Sequence, residues 1–240
     1  MRLTVVSPHL DDAVLSAGGT IYEMVRRGVD VTIVSLFAGD PHASSPPSYW
    51  DAGRGESQGV AVRQRRDEDR AAAAELGASV IALPWADSGY VGVRSPDAIW
   101  QAIEPTIGAA AATLLPGWPL SHADHRYATM LVLERIDAST PIAFYAEQPY
   151  AAEPVTLLKG MVRRHTVAPL RHAYDADIRW HRNRLSVDTH RAHARAVAHY
   201  AGEVQNLGIR GRWGGFYRRF VGEWLGIGQK VPLPPELGLT

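Results

Sequence analysis

The order of hydropathy patterns in the first 37 residues constrains the fold more than any other feature of the chain. Residues 3–7 form a short, valine-rich apolar run that reads as a buried strand, and residues 8–11 break it. Residues 13–27 then set Val14, Leu15, Ile21, Met24 and Val25 on or near one face of a helix, which Gly28 closes. Residues 29–37 are a second apolar run. Strand, turn, helix and strand in this order make a βαβ unit, which requires a parallel sheet.

The alternation continues. A helix over 62–76 ends at Gly77, a strand covers 79–83, and a helix over 98–111 is expected to kink or break near Pro105. A strand at 113–115, a helix at 124–137 and a strand at 142–146 follow. Beyond residue 149 the pattern weakens, although 155–164 and 187–204 read as helices. The long stretch 42–59, rich in Ser, Pro, Gly and Asp, reads as a functional or mobile loop. The expected fold class is α/β, a Rossmann-like, mostly parallel sheet flanked by helices with a helical C-terminal elaboration. A single domain over 1–240 would hold a catalytic core in 1–150 and the elaboration in 151–240.

Composition narrows the function. At 46% hydrophobic residues the chain has enough apolar surface for a sizeable core. The 25 basic and 25 acidic residues cancel, so nothing points to nucleic acid. No apolar run is long enough for a membrane span, and the N-terminus does not read as a signal peptide, so a cytoplasmic location is expected. With no cysteine, a metal would be held by His and carboxylates, which suits a catalytic site.

Two clusters carry the chemistry. Pro8-His9-Leu10-Asp11-Asp12 lies where the first strand passes into its helix, and His122-Ala123-Asp124-His125 lies after the strand at 113–115 and opens another helix. Ligands of open parallel sheets bind at the carboxyl ends of strands. Taken alone, each cluster reads more readily as an ordinary helix start than as a metal site, the first as a cap with a hydrogen-bonded loop histidine. Together they bring two His and one Asp to the same end of one sheet. Such a set would leave one position open, as a hydrolytic zinc requires, with His9 and Asp12 aimed at one point and Asp11 beside it.

The paired clusters resemble the PIG-L/LmbE family of zinc-dependent N-acetylglucosaminyl deacetylases. The family's Ala/Ser-His-Pro-Asp-Asp motif with a following Gly-Gly-Thr stands here as Ser7 to Asp12 with Gly18-Gly19-Thr20. Its His-x-Asp-His motif stands as His122 to His125, and a weaker Arg-x-x-Glu with Leu-Gly matches Arg65, Glu68, Leu76 and Gly77. The resemblance implies one Zn2+ or another divalent ion per chain on His9, Asp12 and His125, with Asp11 as general base. It also implies an oxyanion or acid role for His122, as an imidazolium oriented by Asp124, and substrate contacts from Arg65 and Asp87. The implied reaction removes an acetyl or other acyl group from the amide nitrogen of an N-acetylglucosamine-type amino sugar or conjugate. The implied partner is a small-molecule amino sugar, and a homo-oligomer is compatible with it. A zinc amidase of a non-sugar or thiol-conjugated amide is the alternative. A non-catalytic sugar- or nucleotide-binding module is the alternative of another class, weakened by the lack of G-x-G-x-x-G after the first strand.

Overall fold

The computed structural model describes residues 1–41, 58–90, 94–152, 170, 177–207 and 222–239. In chain order the elements are β1 (Arg2–Ser7), α1 (Asp12–Arg26), β2 (Asp30–Ser35), α2 (Gln58–Leu76), β3 (Ser79–Ala82), α3 (Pro96–Gly108), β4 (Ala112–Trp118), α4 (Ala123–Leu133) and β5 (Ile142–Ala146). They are followed by β6 (Ile178–Asn183), α5 (Val187–Ala198), α6 (Ala201–Asn206) and β7 (Glu223–Gly228). The sheet order is β3-β2-β1-β4-β5-β7-β6. The first five strands in that order pair in parallel, and β7 and β6 close the edge antiparallel.

The apolar strands are buried on both faces, as a parallel sheet with helices on each side requires. Leu3, Val5, Val31 and Ile33 pack with Ile21 and Met24 of α1, Leu76 of α2 and Ala196 of α5. Their neighbours Val6 and Val34 point the other way, toward Ile99 and Ile103 of α3 and Val132 of α4. The order of strands reverses between β1 and β4, so the crevice beyond their carboxyl ends is the switch point where such sheets bind ligands.

The structure corrects several details of the sequence reading. Residues 58 and 59, read as loop, begin α2. The helix through Pro105 is continuous to Gly108, and the interruption lies in α1 instead, where Ala17 has φ −137° and ψ 17°. The three-residue strand at 113–115 extends to Ala112–Trp118 through two residues that usually break strands. Gly117 belongs there because a Cβ would meet Phe144 Cβ at 2.5 Å and Trp180 Cη2 at 2.9 Å. The helix over 187–204 divides into α5 and α6 at His199 and Tyr200, where the last turn tightens to i→i+3 bonds. Strands β6 and β7 have no counterpart in the sequence reading. The expected helix at 155–164 and the remainder of the expected loop at 42–57 lie outside the described residues.

Candidate active site

Ser7, the last residue of β1, organises the first cluster. Its hydroxyl donates to the His9 carbonyl at 2.7 Å and accepts the Ala13 N–H at 3.0 Å. The turn places Asp11 at φ 123°, a conformation that L residues rarely adopt, and starts α1 at Asp12. The Asp12 carboxylate accepts the His9 backbone N–H at 2.9 Å. At the end of β4, His122 caps α4: its Nδ1 accepts the Asp124 N–H at 3.2 Å. The second cluster therefore caps its helix, whereas Asp11, the N-cap residue of α1, makes no side-chain cap bond, and the two clusters also converge.

Three donor atoms form a near-equilateral triangle. Asp12 Oδ2 lies 3.1 Å from His9 Nδ1 and 3.1 Å from His125 Nε2, and those two nitrogens are 3.3 Å apart. Zinc bonds of about 2.0–2.1 Å in a tetrahedron separate ligand atoms by roughly 3.3–3.4 Å. The donor set and its spacing therefore fit a divalent ion with an open fourth position. A looser grouping takes His122 with His9 and His125, all within 4.8 Å. The tighter triangle with Asp12 is the better match to metal geometry, and it leaves His122 beside the site.

Each imidazole of the triangle has its own carboxylate. His9 Nε2 is 3.0 Å from Asp124 Oδ2, and His125 Nδ1 is 2.5 Å from Glu147 Oε1. Such outer partners fix ring orientation and tautomer. The sequence reading pairs Asp124 with His122. The structure corrects this: the carboxylate holds His9, and only the backbone N–H of Asp124 meets His122. The far oxygen of Glu147 accepts the Leu120 N–H at 2.6 Å.

The field at the triangle favours positive charge. Burial works against protonating His9 and His125, yet Asp12 with Asp124 raises the pKa of His9, and Asp12 with Glu147 raises that of His125 well above the ordinary value. Burial likewise opposes ionising Asp12 and Asp124. The two histidines outweigh it at Asp12, and His9, Arg94 and the Ser88 N–H outweigh it at Asp124, holding both carboxyls well below the usual range. Asp11 is pushed the other way, well up, by burial and by the Asp12 and Glu203 charges.

His122 is pushed down by burial and by His9 and His125. The expected imidazolium is thus disfavoured at neutral pH. Since Nδ1 accepts the Asp124 N–H, the neutral ring carries its proton on Nε2.

His9, Asp11, Asp12 and His122 line an open pocket of about 280 Å³. Arg65 and Asp87 border it too, 3.9 Å apart (Nη1 to Oδ2), and Arg65 is only 6% exposed. Arg65 Nε pairs with Glu203 of α6 at 2.7 Å, so Arg65 is not a solvated helix arginine. Gln148, Tyr150 and Leu207 complete the wall. Sequence reasoning missed Glu147, Arg94 and Glu203. Glu147 had a usable signal, a carboxylate just past the end of β5, whereas Arg94 and Glu203 had none. His193 lies away from the pocket, with Nε2 2.8 Å from the Val14 carbonyl. The Arg/aromatic segment 210–220, His165 and His172 lie outside the described residues.

A family profile described as PIG-L, GlcNAc-PI de-N-acetylase, matches residues 4–136. A 2'-N-acetylparomamine deacetylase of Niallia circulans is 24% identical over 181 residues, 60% of this chain and 66% of that protein, just under two thirds of its length. Among solved structures, the zinc-inhibited form of a teicoplanin deacetylase superposes with a TM-score of 0.72 at 19% identity, over 95% of this chain and 99% of that one. A 4-carboxy-2-hydroxymuconate hydratase from Pseudomonas putida superposes with a TM-score of 0.53 at 20% identity, over 95% of each chain. One fold thus serves a deacetylase and a hydratase, so the side chains at the site must carry any functional conclusion.

Proposed function

Because the chain belongs to the PIG-L, GlcNAc-PI de-N-acetylase family, we propose that it is a metal-dependent N-deacetylase of an N-acetylglucosamine-type amino sugar or conjugate. The observation that carries the reading is the triangle of His9, Asp12 and His125, whose donor atoms stand at metal-ligand spacing with a carboxylate behind each imidazole. The named relative is a 2'-N-acetylparomamine deacetylase, which favours a sugar amide over a non-sugar or thiol-conjugated one.

His9, Asp12 and His125 would hold the ion, which supplies Lewis acidity toward the acyl oxygen and acidifies a water. The protein does the rest. Asp11, buried beside Asp12 and bordering the pocket, takes the water proton, and its raised pKa makes it a better acceptor than an ordinary carboxylate. Neutral His122 presents Nε2–H to the developing oxyanion, a fixed donor that needs no charge. The proton held on Asp11 then passes to the leaving amine, which departs neutral. Arg65 and Asp87, which also line the pocket, offer a donor and an acceptor to sugar hydroxyls.

The test uses purified full-length protein. Metal analysis should find about one divalent ion per chain. Chelation should abolish release of free amine from N-acetylglucosamine conjugates and N-acetylated aminoglycosides. One equivalent of zinc, manganese or cobalt should restore it. Zinc is also titrated to excess, since a fold relative exists in a zinc-inhibited form. Full metal content and activity in His125→Ala would overturn the assignment.

A further inference from the structure

Arg94, one residue before the Ser95 cap of α3, makes contacts on every side of its guanidinium. Nη1 donates to Asp124 Oδ1 at 2.5 Å, and Nη2 reaches Oδ2 at 3.5 Å. Nε and Nη2 donate to the Ala86 carbonyl at 3.1 and 2.7 Å. The guanidinium carbon stands 4.0 Å from the centroid of the Phe37 ring, which in turn lies 6.1 Å from the His9 ring. A planar fork makes this combination, while an ammonium would supply one point charge.

The carboxylate so held has two further donors on Oδ2, His9 Nε2 at 3.0 Å and the Ser88 N–H at 2.9 Å. Arg94 grips Ala86 and Asp124 grips Ser88, so the two residues together clamp both sides of Asp87. Asp87 borders the pocket, and its own carboxylate accepts the Gly89 N–H at 2.7 Å. Arg94 does not border the pocket.

We infer that Arg94 is a positioning residue that fixes the metal-site imidazole of His9 and the Asp87 turn in one arrangement through Asp124. The inference rests on the reading of His9 as a metal ligand. It makes two regions of the site, the ion and the substrate wall, respond to one side chain that touches neither.

The experiment compares wild type, Arg94→Ala, Arg94→Lys and His9→Ala as full-length proteins. Zinc affinity is read by competition with a chromophoric chelator, ligand geometry by the visible spectrum of the cobalt(II) protein, and the turn by hydrogen exchange of a peptide spanning 84–90. Arg94→Ala should weaken zinc binding roughly 10–100-fold, the range for removing an outer partner of a metal ligand. It should also shift the cobalt bands and speed exchange at Ser88 to Tyr90, with an unchanged far-UV spectrum. Arg94→Lys should recover most of the zinc affinity but not the protection, since it pairs with Asp124 without holding the Ala86 carbonyl. Wild-type affinity, cobalt spectrum and exchange in Arg94→Ala, with zinc lost in His9→Ala, would overturn the Arg94 inference alone. Undiminished zinc binding in His9→Ala would overturn the ligand assignment and this inference with it. Should Arg94→Ala fail to fold, Arg94→Lys decides: loss of protection in a folded protein supports the clamp, and unchanged protection overturns it.

Discussion

At the residue scale, Asp11 and Asp12 show how adjacent identical side chains acquire opposite roles. Asp12 faces two imidazoles and is held ionised, whereas Asp11, turned aside by its positive φ, faces burial and like charge. Asp11→Asn should therefore keep the metal and lose kcat by a factor on the order of 10²–10⁴, the usual worth of a general base. Metal analysis beside steady-state kinetics checks both halves, and metal loss would make Asp11 a ligand. Glu147→Ala should behave differently. It removes the partner of His125 and leaves the Leu120 N–H buried without its acceptor, at a cost of about 1–3 kcal/mol. Weaker zinc binding and a lower Tm together are the expected result. A variant with unchanged metal affinity would show that His125 needs no carboxylate.

At the scale of elements, α1 packs in one core cluster with β1, α5 and β7 and so ties the N-terminal strands to the C-terminal part of the chain. Its break at Ala17 frees backbone groups that a continuous helix would pair. Glu223 of β7 takes them: Oε1 accepts the Gly19 N–H at 2.5 Å, and Oε2 accepts the Thr20 N–H and hydroxyl at 2.7 and 2.6 Å. Gly18 and Gly19 permit this approach, since a Cβ would lie 2.6 Å from His193 Cδ2 or 2.8 Å from Glu223 Oε1. Gly19→Ala should then cost about 1–3 kcal/mol, as overpacking does.

Glu223 also sets a pH dependence. Burial raises its pKa from 4.5 to about 7, against the hydrogen bonds from Thr20 and Gly19 that favour the charge. The unfolded chain ionises this group first, so its contribution to stability is fully present below pH 4.5 and declines as pH rises through about 7. Glu223→Gln should be less stable overall, because its amide NH₂ opposes donors. Its Tm should nevertheless fall less than that of wild type across this window, in thermal melts at stepped pH. Parallel Tm profiles for the two proteins would remove Glu223 from the titration.

At the scale of the whole molecule, the C-terminal part is built into the sheet and into the site. β7 pairs with β5, Tyr200 and Leu225 enter the same core as β1 and α1, and the Tyr200 hydroxyl donates to buried Asp69 of α2 at 2.5 Å. Glu203 of α6 holds Arg65. A chain ended after residue 152 would expose the β5 edge, the Glu223 site on α1 and Asp69 together. It should show no cooperative unfolding transition by calorimetry, and a sharp two-state melt would mean that residues 1–152 fold alone. No helix among the described residues is long and apolar enough to cross a membrane.

The sequence by itself determined the residue types of the candidate site, the βαβ order and the meeting of two clusters at one end of the sheet. Those features are local: His9 and Asp12 share a turn, His122 and His125 share a helix start, and continuous apolar runs mark doubly covered strands. Only the tertiary structure decided which carboxylate serves which imidazole. Asp124 meets His9 across 115 residues because β1 and β4 are neighbours at the switch point, although His122 and His125 flank it in sequence. The same holds for β6 and β7, whose Arg- and Gly-bearing sequences carry little β pattern. Pairing of β7 with the free edge of β5, and of β6 with β7, makes them strands, contacts that no local period announces.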